Sequence, residues 1–181
     1  MIKRTERWVS AYVVGLGLCP FAETVVRANR LVYRLSDATE PIRLLQALGD
    51  EIQYLVAQPA SKVETILLIH PWVLQSFVEY NDFLGAAEDL LEDLGRAEDL
   101  QIASFHPDYC FAGEPPDDPA NLTNRSPYPM LHLLRQDSIS AVLDAGADTD
   151  AIVNRNIERL RAMSPEEHEK LRGQGEVSNK Q

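Results

Sequence analysis

The chain has few cysteines, no long apolar run and few basic residues. Its two cysteines, Cys19 and Cys110, are too few for the disulfide framework of a small secreted domain, so we expect a reducing, cytoplasmic location. No apolar run approaches the roughly 20 residues that a membrane span needs. The net charge of −11 and the pI near 4.8 argue against the basic surface that nucleic acid or an anionic membrane requires. We therefore expect neither nucleic acid nor a membrane as a partner.

The length of 181 residues suits one domain. Trp8, Tyr12 and Leu16 recur at helical spacing, which predicts an amphipathic N-terminal helix. The apolar stretch that contains them lacks the small-residue cleavage site of a signal peptide. From Ser164 onward the chain becomes polar, so we predict a single α/β domain over 1–163 and a partly disordered tail over 164–181.

Short apolar segments rich in branched and aromatic residues predict buried strands. The four predicted strands span 30–36, 64–70, 100–106 and 130–135. Apolar residues at helical spacing predict helices over 41–58, 74–94, 137–145 and 149–162. This alternation indicates an α/β fold with a small, mainly parallel sheet flanked by helices. We expect the second and third strands to be parallel neighbours, whereas the fourth could run antiparallel at the sheet edge or beside the third.

The segment 107–129 is a long connection with no clear periodicity, and it holds six of the chain's 11 prolines. Long loops in compact domains are usually functional or disordered. Three aromatic residues, Tyr109, Phe111 and Tyr128, favour order, because disordered segments are poor in aromatics. We predict that this loop is ordered and packs on the sheet edge that carries His70 and His106.

Two histidines are the last residues of predicted strands, and each precedes a proline. If the strands are parallel, His70 and His106 lie at the end of the sheet where those strands finish, which we call the carboxyl edge. Open α/β sheets bind ligands there. Asp108 follows His106 directly, and an antiparallel fourth strand would bring His132 near the same edge. The alternative is that each histidine only bonds its own turn.

Cys19 is the second candidate for chemistry. Gly15 and Gly17 interrupt the preceding helix, and Pro20 stands where a first helical residue is favoured. A cysteine that caps this helix lies beside unpaired backbone N–H groups and the positive end of the helix dipole, which favours a nucleophilic thiolate. The alternative is a small buried apolar residue, as free cysteine often is.

A third group of polar residues lies in the loop and just beyond it. Asn124, Arg125 and Ser126 offer hydrogen bonds, and the planar guanidinium of Arg125 suits a carboxylate or phosphate. Arg135 lies at the end of the fourth predicted strand. We assign these residues, with His132, to substrate binding. The alternative is an internal Arg–Asp pair that fixes the loop.

Five strings of the sequence resemble the motifs of a bacterial family catalogued as domain of unknown function 1415. They are GLGLCPFA at 15–22, ETILLIHP at 64–71, YNDFL at 80–84, SFHPDYCFAG at 104–113 and TNRSPYPMLHLLR at 123–135. The similarity runs from about Trp8 to about Asp144. The resemblance implies no mechanism, since the family has no assigned activity.

The sequence favours two classes of function. The first is a cytoplasmic enzyme acting on a small anionic substrate at the carboxyl edge, with Cys19 as nucleophile, His70 or His106 as general base and Asp108 orienting that base. A zinc or other divalent ion on these histidines, His132 and Asp108 is a less favoured variant, because the ligands are scattered. The alternative is a non-catalytic small-ligand-binding or protein-interaction domain. The enzyme hypothesis is favoured if Cys19 and two histidines share one concave pocket.

Overall fold

Four strands form one sheet in the order β1-β2-β4-β3. The computed structural model describes residues 1–144, 146 and 148–172. The strands are β1 Leu31–Leu35, β2 Thr65–Ile69, β3 Leu100–Phe105 and β4 Met130–Arg135. Each lies within the segment that its apolar, branched composition predicts, and together with the surrounding helices they make an α/β fold.

Seven α-helices occur in the described part of the chain. They are α1 Ile2–Trp8, α2 Pro20–Arg27, α3 Pro41–Ala57, α4 Phe77–Asp93, α5 Gln136–Asp144, α6 Thr149–Arg161 and α7 Pro165–Arg172. A π-helical segment, Val9–Val14, continues α1, and a 3₁₀ helix spans Pro119–Thr123. Proline occupies the start of α2 and α3, where its missing N–H costs no hydrogen bond. None of the described helices is long and apolar enough to cross a membrane.

The sheet is mixed, so the prediction of a mainly parallel sheet is wrong. Only β1 and β2 pair in parallel, whereas β4 pairs antiparallel with both β2 and β3. The predicted neighbours β2 and β3 are therefore separated by β4. They still run in the same direction, because each is antiparallel to β4. A crossover through α4 does not require its two strands to be adjacent, and the chain returning through the loop inserts β4 into the gap.

Alternate residues of β2 face two different apolar clusters. Ile66 and Leu68 pack under α3 and α4, whereas Leu67 and Ile69 pack under the N-terminal helices. Successive side chains of a strand point to opposite faces of the sheet, so a strand buried on both sides needs apolar residues throughout. All five residues of β2 are accordingly buried.

The N-terminal segment is amphipathic, as its spacing predicts. Trp8 is 2% exposed and Tyr12 is fully buried. The helix widens after Trp8, and the N–H of Gly15 donates to the carbonyl of Ser10, five residues back. A Cβ on Gly15 would collide with the carbonyl oxygen of Ala11, so this widened turn requires glycine.

The polar segment after residue 163 begins with a helix, α7, that packs against the N-terminal helices. The buried His168 lies at this contact: its Nε2 is 2.9 Å from the carbonyl oxygen of Leu160, and its Nδ1 is 3.4 Å from the hydroxyl of Tyr12. Helix α7 is therefore part of the folded unit. The remainder of the predicted tail, 173–181, lies outside the described residues.

Candidate functional site

His70 and His106 follow β2 and β3 at the carboxyl edge, and both are fully buried. The ring of Tyr80 from α4 packs against both, with centroids 5.8 Å from His70 and 5.1 Å from His106. The Tyr80 hydroxyl donates to the carbonyl of Met130 and accepts from the N–H of Phe105. The predicted proximity of the two histidines thus exists, but inside the core under α4.

Both ring nitrogens of His106 are engaged by the backbone. Nε2 lies 3.2 Å from the carbonyl oxygen of Leu74, which can only accept, so this nitrogen carries the proton. Nδ1 then accepts from the backbone N–H of Asp108 at 3.0 Å. Burial lowers the pKa of His106, which keeps the ring neutral. Asp108 thus positions the ring through its main chain, and its side chain is exposed.

His70 has one satisfied and one unsatisfied nitrogen. Nδ1 donates to the carbonyl of Val73 at 3.2 Å, whereas Nε2 is buried and has no partner among the residues that the structure describes. Burial lowers the pKa of this histidine to about 4. A neutral imidazole with no solvent access is poorly placed to act as a base on an incoming substrate.

His132 lies in the middle of β4, away from the carboxyl edge, where it pairs with Leu67 and Ala103. The expectation that it joins His70 and His106 is therefore wrong. Its Nε2 is 2.7 Å from the hydroxyl oxygen of Thr65, and that hydroxyl donates its proton to the carbonyl of Leu133. Nε2 must then be the donor, which leaves Nδ1 as an acceptor. Burial lowers the pKa of His132 to about 4, so this tautomer is neutral at physiological pH.

Cys19 caps helix α2 in an extended conformation, with Pro20 as the first helical residue, as the sequence predicts. The cysteine lines a cavity of about 220 Å³ between α1, α2 and the sheet, which we call the inner cavity. Trp8, Phe105 and His132 line the same cavity. Cys19 therefore shares this cavity with His132, which is not one of the two predicted bases.

Cys19 also lines a second, larger cavity of about 580 Å³, which we call the outer cavity. This cavity lies between the loop 107–129 and helix α6, with Glu114, Asn124 and Asn156 in its wall. Asn156 donates to the carbonyl of Leu18 at 2.7 Å and so ties α6 to the residue before Cys19. Cys19 thus lines both cavities.

The loop 107–129 is ordered, as its aromatic residues predict. Tyr109 packs on Phe77 of α4 with ring centroids 5.0 Å apart, and Phe111 packs on Tyr109 at 4.9 Å. Tyr128 lies under the guanidinium of Arg4 at 5.4 Å. These contacts fix the loop at the end of β3 and over the neighbouring helices.

Residues 124–126 hold the loop together by bonding to backbone carbonyls. Arg125 donates to the carbonyls of Tyr109 at 3.0 Å and Pro116 at 2.5 Å. Asn124 donates to the carbonyl of Ser104, and the buried Ser126 donates to that of Tyr128. An ion pair of 3.0 Å between Asp118 in the loop and Arg161 also links the loop to α6.

Arg135 lies at the end of β4, opposite the carboxyl edge, because β4 runs antiparallel to the other strands. Its Nη2 donates to the carbonyls of Leu55, Gln58 and Val63 at 2.7, 2.7 and 3.1 Å. These contacts link the C-terminal end of α3 to the segment that precedes β2. Arg135 is therefore remote from the other residues that the sequence groups with it.

The predicted constellation is divided into two groups on opposite faces of the sheet. His70 and His106 contact α4, whereas Cys19 and His132 face the N-terminal helices. Within the described ranges, no three His, Cys, Asp or Glu side chains are arranged so as to hold a metal ion. Sequence reasoning missed Trp8 and Thr65 as lining residues of the inner cavity. Nothing in the local pattern indicates that role, since it depends on which helix covers which sheet face.

Comparisons with known proteins place the chain in a family but not in a functional class. No curated protein matches it, and no solved structure matches it. The family model described as protein of unknown function (DUF1415) matches residues 1–170. The chain therefore belongs to the DUF1415 family.

Proposed function

We propose that this protein binds a small, neutral, mainly apolar molecule in the inner cavity beside Cys19. The observation that carries this proposal is the cavity itself, with its volume of about 220 Å³ and its largely apolar wall. An apolar cavity of about 150 Å³ is enough to bind benzene in another protein. By the same ratio the inner cavity accommodates a molecule of roughly nine non-hydrogen atoms.

The charge of the cavity walls favours a neutral ligand. Among the described residues, no lysine, arginine, aspartate or glutamate lines the inner cavity, and burying an unpaired charge is costly. The expectation of an anionic substrate depended on Arg125, which the loop's own carbonyls engage. Glu114 in the outer cavity would also repel an anion. A neutral molecule meets neither penalty.

An enzyme with Cys19 as its nucleophile is the second candidate. It is favoured by one observation, the position of Cys19 in the wall shared by the two cavities. The apolar part of a substrate would occupy the inner cavity, and a leaving group would depart through the outer one. His70 and His106 would play no part, because they lie buried against α4.

The two free thiols also support a reducing compartment such as the cytoplasm.

Titration with toluene, followed by the shift in thermal unfolding temperature and by calorimetry, tests the binding proposal. We expect saturable binding to the wild type and its loss in Ala103→Leu, which fills the inner cavity. The matched control is Ala86→Leu on the exposed surface of α4, which should bind as the wild type does. The proposal fails if neither toluene nor any other small apolar probe of this size binds, or if Ala103→Leu binds equally well.

Reaction with 4-nitrophenyl acetate, followed by intact-protein mass spectrometry, tests the second candidate. The Cys19 thiol would lose its proton to solvent and its sulfur would attack the carbonyl carbon, forming a thioester as the ester C–O bond breaks and 4-nitrophenolate leaves. We expect one acetyl group on the wild type and on Cys110→Ser, but none on Cys19→Ser. Acetylation of Cys110 instead of Cys19 would exclude this candidate. Acetylation of Cys19 at a rate no higher than in the unfolded protein would exclude it too.

A further inference from the structure

The outer cavity has the size and the wall of a second ligand site. Its volume of about 580 Å³ lies within the range of roughly 300–1,000 Å³ in which proteins hold small molecules. Helix α6 contributes Ile152, Val153 and Ile157 to the wall, and the loop 107–129 contributes Phe111. These side chains offer a contact surface to the apolar part of a ligand.

The apolar side of α6 does not belong to the hydrophobic core. Neither of the two apolar clusters of the core contains Ile152, Val153 or Ile157. Val153 is 48% exposed, although Asn156 beside it is buried and ties α6 to the carbonyl of Leu18. Covering these three side chains would remove apolar surface from water, which favours an occupant with an apolar body.

Glu114 gives the outer cavity its charge. Among the described residues, it is the only charged side chain in the wall, and it is exposed to solvent. Its backbone is held in place, because its N–H donates to the carbonyl of Phe111 at 3.1 Å and its carbonyl accepts from the thiol of Cys110 at 3.5 Å. Its carboxylate has no hydrogen-bond or ion-pair partner within the described part of the chain. A negative charge on a fixed backbone is therefore available to a ligand.

The arginines of α6 do not neutralise this carboxylate. Arg155 and Arg159 donate to backbone carbonyls of the segment 16–17, and Arg161 forms the ion pair that links α6 to the loop. None of these three arginines lines the outer cavity. The net charge of −11 on the whole chain further favours the approach of a cation and opposes that of an anion.

We propose that the outer cavity binds a small molecule that carries one protonated amine on an apolar body. The apolar body would pack on Val153 and its neighbours on α6, and the ammonium group would pair with Glu114. An anion of the same shape would be repelled by the carboxylate, and a neutral alcohol would form no ion pair. The inference is independent of the ligand proposed for the inner cavity, because neither Glu114 nor the apolar residues of α6 line that cavity.

Three probes with one phenylbutyl body test the preferred charge by calorimetry at pH 7. They are 4-phenylbutylamine, 4-phenylbutanol and 4-phenylbutanoate, and each has about eleven or more non-hydrogen atoms, which exceeds the roughly nine that the inner cavity accommodates. At low salt we expect the amine to bind about threefold more tightly than the alcohol, as an exposed ion pair provides, and the carboxylate to bind more weakly than both. This preference should decrease in roughly 0.5 M salt, which screens exposed charges. Equal binding of the amine and the alcohol at low salt, or no binding of any probe, would overturn the inference.

Substitutions separate the ion pair from the apolar contact. Glu114→Gln should abolish the preference for the amine over the alcohol, whereas Asp117→Asn, at an exposed acid of the same loop outside the wall, should keep it. Val153→Ser should weaken the amine and the alcohol alike by about threefold, because apolar contact is lost. Val78→Ser, at an exposed valine of α4, is its matched control and should bind both as the wild type does. A Glu114→Gln variant that keeps the preference, or a Val153→Ser variant that binds as the wild type does, would contradict the inference.

Nitrogen-15 NMR locates the bound amine. The backbone amide signals of Ala112 and Val153, which line only the outer cavity, should shift on titration with 4-phenylbutylamine. Those of Ala22 and Val25, which line only the inner cavity, should stay in place. The opposite pattern would show that the amine occupies the inner cavity, and it would overturn the inference.

Discussion

The Nη2 atom of Arg135 lies 2.7 Å from the carbonyl oxygen of Leu55, in the last turn of α3. The same nitrogen reaches the carbonyls of Gln58 and Val63. The last carbonyls of a helix have no partner inside the helix, so a cation there satisfies them and favours the negative end of the helix dipole. Arg135 thus stabilises the connection from α3 to β2 and takes no part in either cavity.

Replacing Arg135 should reduce stability without affecting ligand binding. We expect Arg135→Leu to lower the free energy of unfolding by about 2–3 kcal/mol, because charged hydrogen bonds to buried carbonyls are lost. Arg135→Lys should recover part of this loss, since an ammonium offers fewer directed donors. Urea denaturation measures both changes. If Arg135→Leu unfolds as the wild type does but binds toluene more weakly, the residue belongs to the binding site instead.

Cys19 should react with limiting iodoacetamide faster than Cys110. Cys19 caps α2 and lines two cavities that a small reagent can enter. The thiol of Cys110 instead donates to the carbonyls of Glu114 at 3.5 Å and Phe111 at 3.7 Å, contacts that a thiolate would lose. Peptide mass mapping after alkylation at pH 7 measures the ratio. Preferential labelling of Cys110 would reverse the assignment and weaken the enzyme candidate.

Acidification should destabilise the protein through His70. The pKa of this buried ring is about 4 in the folded state, against an ordinary value of 6.5. Above pH 6.5 both states are neutral, but between pH 6.5 and 4 only the unfolded chain takes up the proton, so the free energy of unfolding falls as pH falls. The loss is on the order of 3 kcal/mol at about 1.4 kcal/mol for each pKa unit.

Urea denaturation at several pH values between 7.5 and 4 checks this dependence. His70→Leu removes the titrating group and should therefore show a smaller decrease over the same range than the wild type. His132, whose pKa burial also lowers to about 4, contributes in the same direction and remains in the variant. Parallel pH profiles for the wild type and His70→Leu would show that His70 does not carry the effect.

Two glycine substitutions with opposite expected effects test the widened turn after α1. Gly15→Ala should lower the free energy of unfolding by roughly 1–3 kcal/mol, because its Cβ would overlap the carbonyl oxygen of Ala11. Gly85→Ala in α4 is the matched control. Its Cβ would meet nothing within 4 Å, so better helix propensity should stabilise the protein by about 0.5–1 kcal/mol. An unchanged Gly15→Ala variant would show that the turn can relax without cost.

Local chemistry in the sequence determines much of what the structure contains. The four strands lie where short apolar runs predict them, since a buried strand needs apolar residues on both of its faces. The start of α2 at Pro20 follows from proline's fixed φ and missing N–H, and it makes Cys19 the helix cap. The shared carboxyl edge of His70 and His106 also follows, because β2 and β3 run in the same direction.

Only the tertiary structure decides the position of β4 and the face on which its residues lie. Leu131 and Leu133 pack under α3 and α4, whereas His132 between them lines the inner cavity on the other face. The alternation of a strand makes these faces opposite, but a sequence does not show which helices will cover each. Cys19 and His132 line the same cavity because the N-terminal helices cover that face. Strand order and helix placement are set by the packing of apolar surfaces far apart in the chain, and no local pattern encodes them.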